Sequence, residues 1–269
     1  MQKPDRKLPD GFREFAEELI REAESVEGFL SPNEMRFLAL LGAVSTASGE
    51  VLEIGSFKGR STIILAKSSL LAGDDQINAV DPMTAPSVTD PDLRGSDSSF
   101  EDFSRNVNEH EVGERIRLHR KLSWELAPSW DKPLRLLWID GDHTYAGTRR
   151  DLEGFRPHLS DGAIVAFHDV LHEFEGGVRV FMENVLLSPH FGAAGFCGSI
   201  AWSQFHNDPA SAAKYRPAKI GLYKKLARLV PFLAFDQPIT GLRKKIYKLH
   251  RSRVPHDAVN PQAWLSSID

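Results

Sequence analysis

Residues 51–61 read VLEIGSFKGRS. VLEI supplies a short buried strand, Gly55 and Gly59 open a turn, and Ser61-Thr-Ile-Ile-Leu-Ala begins a helix with an apolar face. A strand-turn-helix of this kind is expected to leave backbone N–H groups free at a helix N-terminus, where the macrodipole favours an anionic ligand group. Glycine in the turn allows positive φ and close approach of a ligand to the backbone. The turn is not the dinucleotide fingerprint G-x-G-x-x-G, because Ser56 and Phe57 follow Gly55. An acid, Glu53, sits two positions before the first glycine instead.

The next strand, QINAV over residues 76–80, ends in Asp81. An acid at the tip of the second strand of a doubly wound sheet accepts hydrogen bonds from ribose hydroxyls, and the distance from Gly55 suits a nucleoside ligand, either a dinucleotide or a sulfonium nucleoside. Asp81 capping its own turn, beside Pro82, is the alternative.

Outward from this core the chain alternates. Helices are expected over Phe12–Ala23 and, from a Ser31–Pro32–Glu34 capping box, over the stretch that ends near Val44. After Asp81 comes a Pro-, Ser- and Asp-rich segment, Pro82–Ser98, longer than ordinary connections and expected to act as a lid or binding loop. Helix Phe100–Glu109, strand Arg115–His119, a helix near Trp124, strand Leu134–Ile139, helix Thr148–Phe155, strand Ala163–Phe167 and helix Val178–Leu187 follow. Residues 194–205 read as a closing hairpin at the sheet edge. Repeated βαβ units predict an α/β fold: a Rossmann-like, doubly wound, mostly parallel seven-stranded sheet. An N-terminal helical segment (1–46) and a basic helical C-terminal extension (207–269) would flank a ligand-binding domain (47–206).

Two strands end in polar clusters: Asp140-Gly-Asp142-His143, then His168-Asp169. Ligands of doubly wound sheets bind at the carboxyl ends of the strands, so these groups should share one mouth with Gly55 and Asp81. Buried carboxylates need partners, and a metal or a transferred proton would provide them. Oxygen ligands from Asp140 and Asp169 suit Mg²⁺, and a histidine ligand at His168 shifts the preference toward Mn²⁺. A neutral histidine can instead take a proton from a hydroxyl near neutral pH; His143 is the first candidate and His168 the second. Ser123 and Trp124 follow the third strand, where Trp124 either stacks on an adenine or belongs to the core. Arg149 and Arg150 read as solvated charge.

The segments IDGDHTYAGTRRDL and LSDGAIVAFHDV, with the Glu53–Gly55–Gly59 turn, resemble bacterial class I methyltransferases whose members often act on sugars, polysaccharides or macrolide-type natural products. The similarity spans roughly residues 26–202. It implies S-adenosylmethionine as methyl donor and often a divalent metal. It also implies cofactor contacts from Glu53, Gly55, Gly59 and Asp81, and metal acids at Asp140 and Asp169; Ser56, Ser61, Ser123, Trp124 and Asp140 are expected to join the cofactor contacts. Members with metal sites usually carry a second acid where this chain has His168. The expected activity is O-methylation of a sugar, glycan or natural-product hydroxyl. A scaffold that kept the fold and a nicotinamide-type dehydrogenase are the rival readings; the missing second glycine disfavours the latter.

Composition limits the setting. With 41% hydrophobic residues, 26% charged residues and a net charge of −4, the chain reads as one large folded α/β domain with extensions. No apolar run reaches the ~20 residues of a membrane span, and MQKPDRKLPD does not read as a secretory leader. The single cysteine, Cys197, suits the cytoplasm and a packing role. Charge is uneven: from Lys214 to Arg253 there are twelve Lys or Arg against one acid, Asp236. The stretches LYKKLARLVPFLAF and GLRKKIYKL, broken by Pro231 and Pro238, alternate apolar and basic residues at helical spacing. Such a tail packs on a partner subunit to form a homo-oligomer, or lies on an anionic membrane. No nucleic-acid recognition motif accompanies it.

Overall fold

The computed structural model describes residues 7–74, 76–84, 98–233 and 239–269. Helices α1 (Phe12–Ala23) and α2 (Pro32–Ala43) precede strand β1 (Glu50–Ile54) and helix α3 (Arg60–Ser69). Next come β2 (Ile77–Val80), α4 (Phe100–Glu109), β3 (Ile116–His119), α5 (Ser123–Leu126) and β4 (Leu134–Ile139). Then follow α6 (Tyr145–Phe155), β5 (Leu159–Phe167), α7 (Glu175–Val180), β6 (Phe191–Cys197) and β7 (Ile200–Phe205). The tail adds α8 (Pro209–Ala212), α9 (Arg216–Leu226), α10 (Val230–Leu233), α11 (Gly241–Arg251) and α12 (Pro261–Ser267).

The seven strands form one sheet in the order β3-β2-β1-β4-β5-β7-β6. The first five strands pair in parallel, and β7 pairs antiparallel with both β5 and β6. This is the mostly parallel, Rossmann-like sheet that the βαβ alternation predicts, with its hairpin at the edge. Side chains alternate across it, as the two-residue strand period requires. Val51, Leu136 and Trp138 join α1, α2 and α3 in one core; Leu52, Ile54, Leu137 and Ile139 join α6, α7 and α9 in the other. Both faces are covered, which is why the central strands read as nearly continuous apolar runs.

Several boundaries move for local reasons. Helix α6 begins at Tyr145 rather than Thr148, because the Thr144 side chain caps it by accepting from the Gly147 N–H at 3.1 Å. The helix expected over Val178–Leu187 starts at Glu175 and finishes in a π-helical turn, Phe181–Leu186. Gly176 permits the early start: a Cβ there would overlap the backbone of His143 and Thr144. Of the expected lid, residues 85–97 lie outside the described residues, as does Pro238.

The C-terminal segment is built into the body. Leu222, Leu226, Leu229 and Tyr247 complete one core, and Trp264 and Ile268 enter the other. Cys197 is buried, and burial pushes its thiol up to about 11, as expected of a packing residue.

One carboxylate ties the N-terminal helices to the far edge of the sheet. Glu34 completes the capping box of α2, accepting from the Ser31 N–H at 2.8 Å and the Ser31 hydroxyl at 2.7 Å. Its other oxygen accepts from the N–H and, at 2.6 Å, the hydroxyl of Ser199 in the β6–β7 turn. Burial pushes the Glu34 carboxyl up, but the Ser199 and Ser31 donors outweigh it and hold it below the ordinary value of 4.5. Its contribution is therefore present above that value and is lost as the pH falls through the depressed one. Replacing Glu34 by Ala strands four donors and is expected to cost about 2–4 kcal/mol in urea unfolding at neutral pH, with Glu34→Gln intermediate. Unchanged stability of Glu34→Ala would show that the bridge is decorative.

Candidate active site

Strand register sets the floor of the site. Ile54 lies opposite Val80 and Ile139, and Ile139 lies opposite Phe167, so four strands end level. The next residue on each strand is Gly55, Asp81, Asp140 or His168. They stand in one row at the carboxyl edge. Gly55 has φ +85°, and a Cβ on it would overlap the Asp140 carbonyl, so β1 and β4 leave the sheet in backbone contact.

The turn after β1 departs from expectation. Its Ser56 and Phe57 N–H groups donate to Asp81 Oδ2 at 2.8 and 3.0 Å, and Met83 N–H donates to Oδ1 at 2.7 Å. Those two amides are satisfied by the neighbouring strand rather than left open for an anion. Asp81 keeps acceptor capacity, since an ionised carboxylate offers about four lone-pair sites. Glu53 is fully buried behind the turn, accepting from the hydroxyls of Ser56 at 2.9 Å and Thr62. Burial pushes its carboxyl up to about 7, against the pull of the Ser61, Thr62 and Ser56 hydroxyls. Neither Glu53 nor Gly59 lines the cavity; Gly59 faces Phe103 and Val107 of α4.

Above the row lies a cavity of about 610 Å³, lined by Gly55, Ser56, Ser61, Asp81, Ser123, Trp124, Asp140, His143, His168 and Asp169 among others. That volume is in the range of small-molecule sites. The sequence-predicted residues other than Glu53 and Gly59 thus meet on one surface.

At its centre is a chain of charge. His168 Nδ1 lies 3.0 Å from Asp140 Oδ1, and its Nε2 lies 3.4 Å from Asp169 Oδ1. Burial alone would push His168 down, but the carboxylates of Asp140 and Asp169 outweigh it and raise the ring to about 10. A cationic imidazolium between two aspartates has no lone pair to take a proton. That charge state disfavours His168 as a proton acceptor. His143 stands differently: its Nε2 is 3.8 Å from Asp169 Oδ2, and its ring stacks on Phe174 with centroids 4.6 Å apart. Asp169 has φ +57°, in the left-handed region that non-glycine residues adopt rarely and that Asp tolerates better than most.

Among the described residues, the ligand atoms that converge closely enough for a cation are those of Asp140, His143 and Asp169, all within 4.8 Å of one another. His143, not His168, completes that set.

Also lining the cavity, Ser123 donates to Asp151, a carboxylate on α6 that is 5% exposed and lies beside Gly141. Burial pushes Asp151 up to about 7, with the Asp142 charge adding to the rise. Trp124 is not a core residue: it is 46% exposed at the rim, with the Arg150 guanidinium 5.5 Å from its ring. Across the mouth, Arg60 donates to the carbonyls of Val26 at 2.7 Å and Gly28 at 2.8 Å, fixing the segment that carries Phe29. Asp151, Arg60 and Phe174 escape a sequence reading. Asp151 alone leaves a trace, an acid within the otherwise apolar helical face of Thr148, Leu152 and Phe155.

Residues 52–170 match the family described as a methyltransferase domain. Solved structures share the fold at low identity. The O-methyltransferase NovP has a TM-score of 0.60 and 13% identity, covering 73% of this chain and 100% of its own. An O-methyltransferase from Bacillus cereus in complex with SAH gives 0.51 and 20%, over 73% and 92%. TomG from Streptomyces achromogenes, an O-methyltransferase of tomaymycin synthesis in complex with SAM, gives 0.52 and 19%, over 75% and 92%.

The raised Asp151 carboxyl has a measurable consequence. It ionises near 3.8 in the unfolded chain and near 7 in the folded one, so its ionisation opposes folding. That group therefore removes stability as the pH rises from about 4 through 7. Asp151→Asn keeps the acceptor for Ser123 and is expected to gain stability relative to wild type across that window, measured by denaturant unfolding at pH 5 and pH 8. A difference independent of pH would sink this assignment.

Proposed function

From the match of residues 52–170 to the family described as a methyltransferase domain, we propose that the chain transfers a methyl group from S-adenosylmethionine to a hydroxyl oxygen of a sugar, glycan or natural product. The observation that carries this reading is the convergence of His143 and the Asp140–His168–Asp169 charge chain on the cavity into which the Gly55 turn opens.

S-adenosylmethionine supplies a methyl carbon on cationic sulfur and departs as a neutral thioether. Gly55 leaves bare backbone at the strand end, and Asp81 retains lone pairs for ribose hydroxyls. Ser123, Asp151 and Trp124 also line the cavity, and a purine is suited both by a buried carboxyl and by a half-exposed indole. The protein's work is alignment of the two reactants and removal of one proton. His143 takes that proton from the acceptor hydroxyl, and Asp169, 3.8 Å away, stabilises the imidazolium that results. His168 stays charged and holds Asp140 and Asp169 in place.

The Asp140, His143 and Asp169 donor set fits a divalent cation, and its mixed nitrogen and oxygen ligands favour Mn²⁺ over Mg²⁺. Such an ion would supply charge stabilisation to an acceptor oxygen. The imidazolium of His168 already provides positive charge between the same two aspartates, which reduces the need for one.

Calorimetric titration of S-adenosylhomocysteine into chelator-treated protein, repeated with Mn²⁺ and Mg²⁺, tests the assignment. Micromolar binding is expected without metal. His143→Asn should retain it while slowing methyl transfer to a responsive hydroxyl acceptor on the order of 10²–10⁴-fold. Absence of binding under every condition would remove the cofactor assignment; full activity in His143→Asn would move the base elsewhere.

A further inference from the structure

Tail residues divide sharply between buried and exposed. Leu222, Leu226, Leu229 and Leu233 pack inward, yet α11 leaves Leu242 72%, Ile246 37% and Leu249 53% exposed. These three fall at i, i+4 and i+7, one stripe along the helix. Exposed Lys244, Lys245 and Lys248 accompany the stripe, with Arg251 and Arg253 beyond them. Tyr247, on the inner side, is buried, and its hydroxyl lies 2.9 Å from both the Leu171 and the His172 carbonyls. Lys244 also lies 3.7 Å from Glu173. Helix α11 is therefore fastened to the segment after β5 that brings Asp169, His172 and Phe174 to the cavity.

We propose that α11 is a docking helix for the surface of an anionic phospholipid bilayer, its apolar stripe entering the interface and its lysines meeting the headgroups. A short apolar stripe flanked by lysines is the pattern of helices that lie in a membrane interface. Among the described residues no helix is long and apolar enough to cross a membrane, so contact of this kind would be peripheral. A second copy of the chain fits the stripe less well. A stable protein interface covers about 800 Å² per partner, far more than three side chains supply. Most other apolar residues described in the tail are buried in the core, Ile220 on α9 being the exception. Docked in this way, the cavity mouth lies beside the bilayer through the Tyr247 tether, and an amphiphilic acceptor is the class that benefits.

The test is co-sedimentation of the full chain with phosphatidylglycerol vesicles and with phosphatidylcholine vesicles. Binding is expected to the first only, and it should fade as ionic strength rises from about 0.1 M to 1 M, where the screening length drops from about 10 to 3 Å. Lys245→Glu with Lys248→Glu should weaken vesicle binding on the order of a hundredfold. Leu242→Ser with Leu249→Ser should weaken it as well, and both variants should keep wild-type thermal unfolding because the altered side chains are exposed. Equal binding to neutral vesicles, or none to either, would overturn the proposal. So would a dimer in sedimentation velocity that the Leu242/Leu249 variant dissociates, which would assign the stripe to a second copy. None of these readouts involves S-adenosylhomocysteine, so failure here and failure of the methyl-transfer reading are distinguishable.

Discussion

The site depends on keeping three charged groups of Asp140, His168 and Asp169 together at the end of two parallel strands, one of them almost fully buried. Two carboxylates brought this close repel each other and lose part of their hydration, and a cation between them offsets both costs. His168 provides that cation from within the sheet. Much of the surrounding architecture holds the arrangement. Gly55 lets β1 approach β4 at the Asp140 carbonyl, Trp138 packs beneath the His168 ring with centroids 5.7 Å apart, and the Ser199 hydroxyl lies 3.4 Å from Asp169. Ser199 is in turn fixed by Glu34, so the capping box of α2 reaches the site through two contacts.

That dependence explains which features the sequence makes legible. Strands and helices with strong periodicity, such as α1, α4 and β4, are specified locally and coincide with expectation at both ends. The acids at strand ends are legible because the doubly wound topology dictates where strand ends go. What the sequence leaves open is the direction of each side chain after it arrives. Asp81 turns back to satisfy the Ser56 and Phe57 amides, and Glu53 turns into α3, though both look equally like ligand contacts in the chain. The protonation of His168 is likewise hidden. It requires knowing that two carboxylates from different strands flank one imidazole.

Two carboxyls near the cavity, Glu53 and Asp151, are raised to about 7, whereas Glu34 is held low. Burial is the largest influence on all three, and the sign follows from how far the hydrogen-bond donors offset it: the three hydroxyls at the fully buried Glu53 do not, and the four donors at Glu34 do. Glu34 receives four hydrogen bonds from Ser31 and Ser199, while Asp151 receives one from Ser123 and also feels the Asp142 charge. A protein selected only for stability would give Asp151 more donors or replace it with an apolar residue. An under-solvated acid facing a cavity is what remains when a ligand is to complete the set, which is the physical sense in which perturbed groups mark functional sites.

The tail extends the same reasoning to the outside of the molecule. Among the described residues, the leucines of α9 and α10 are hidden, while Ile220 on α9 and Leu242, Ile246 and Leu249 on α11 are exposed, the last three on a single line of α11. Exposed leucines carry a solubility cost that nearby lysines offset, and a helix keeping both on one surface is compatible with water and with a charged apolar boundary alike. The Tyr247 hydroxyl couples that surface to the Leu171 and His172 backbone, two and three residues from Asp169. A single side chain thus joins the exposed face of α11 to the segment that carries Asp169 and its left-handed backbone, φ +57°.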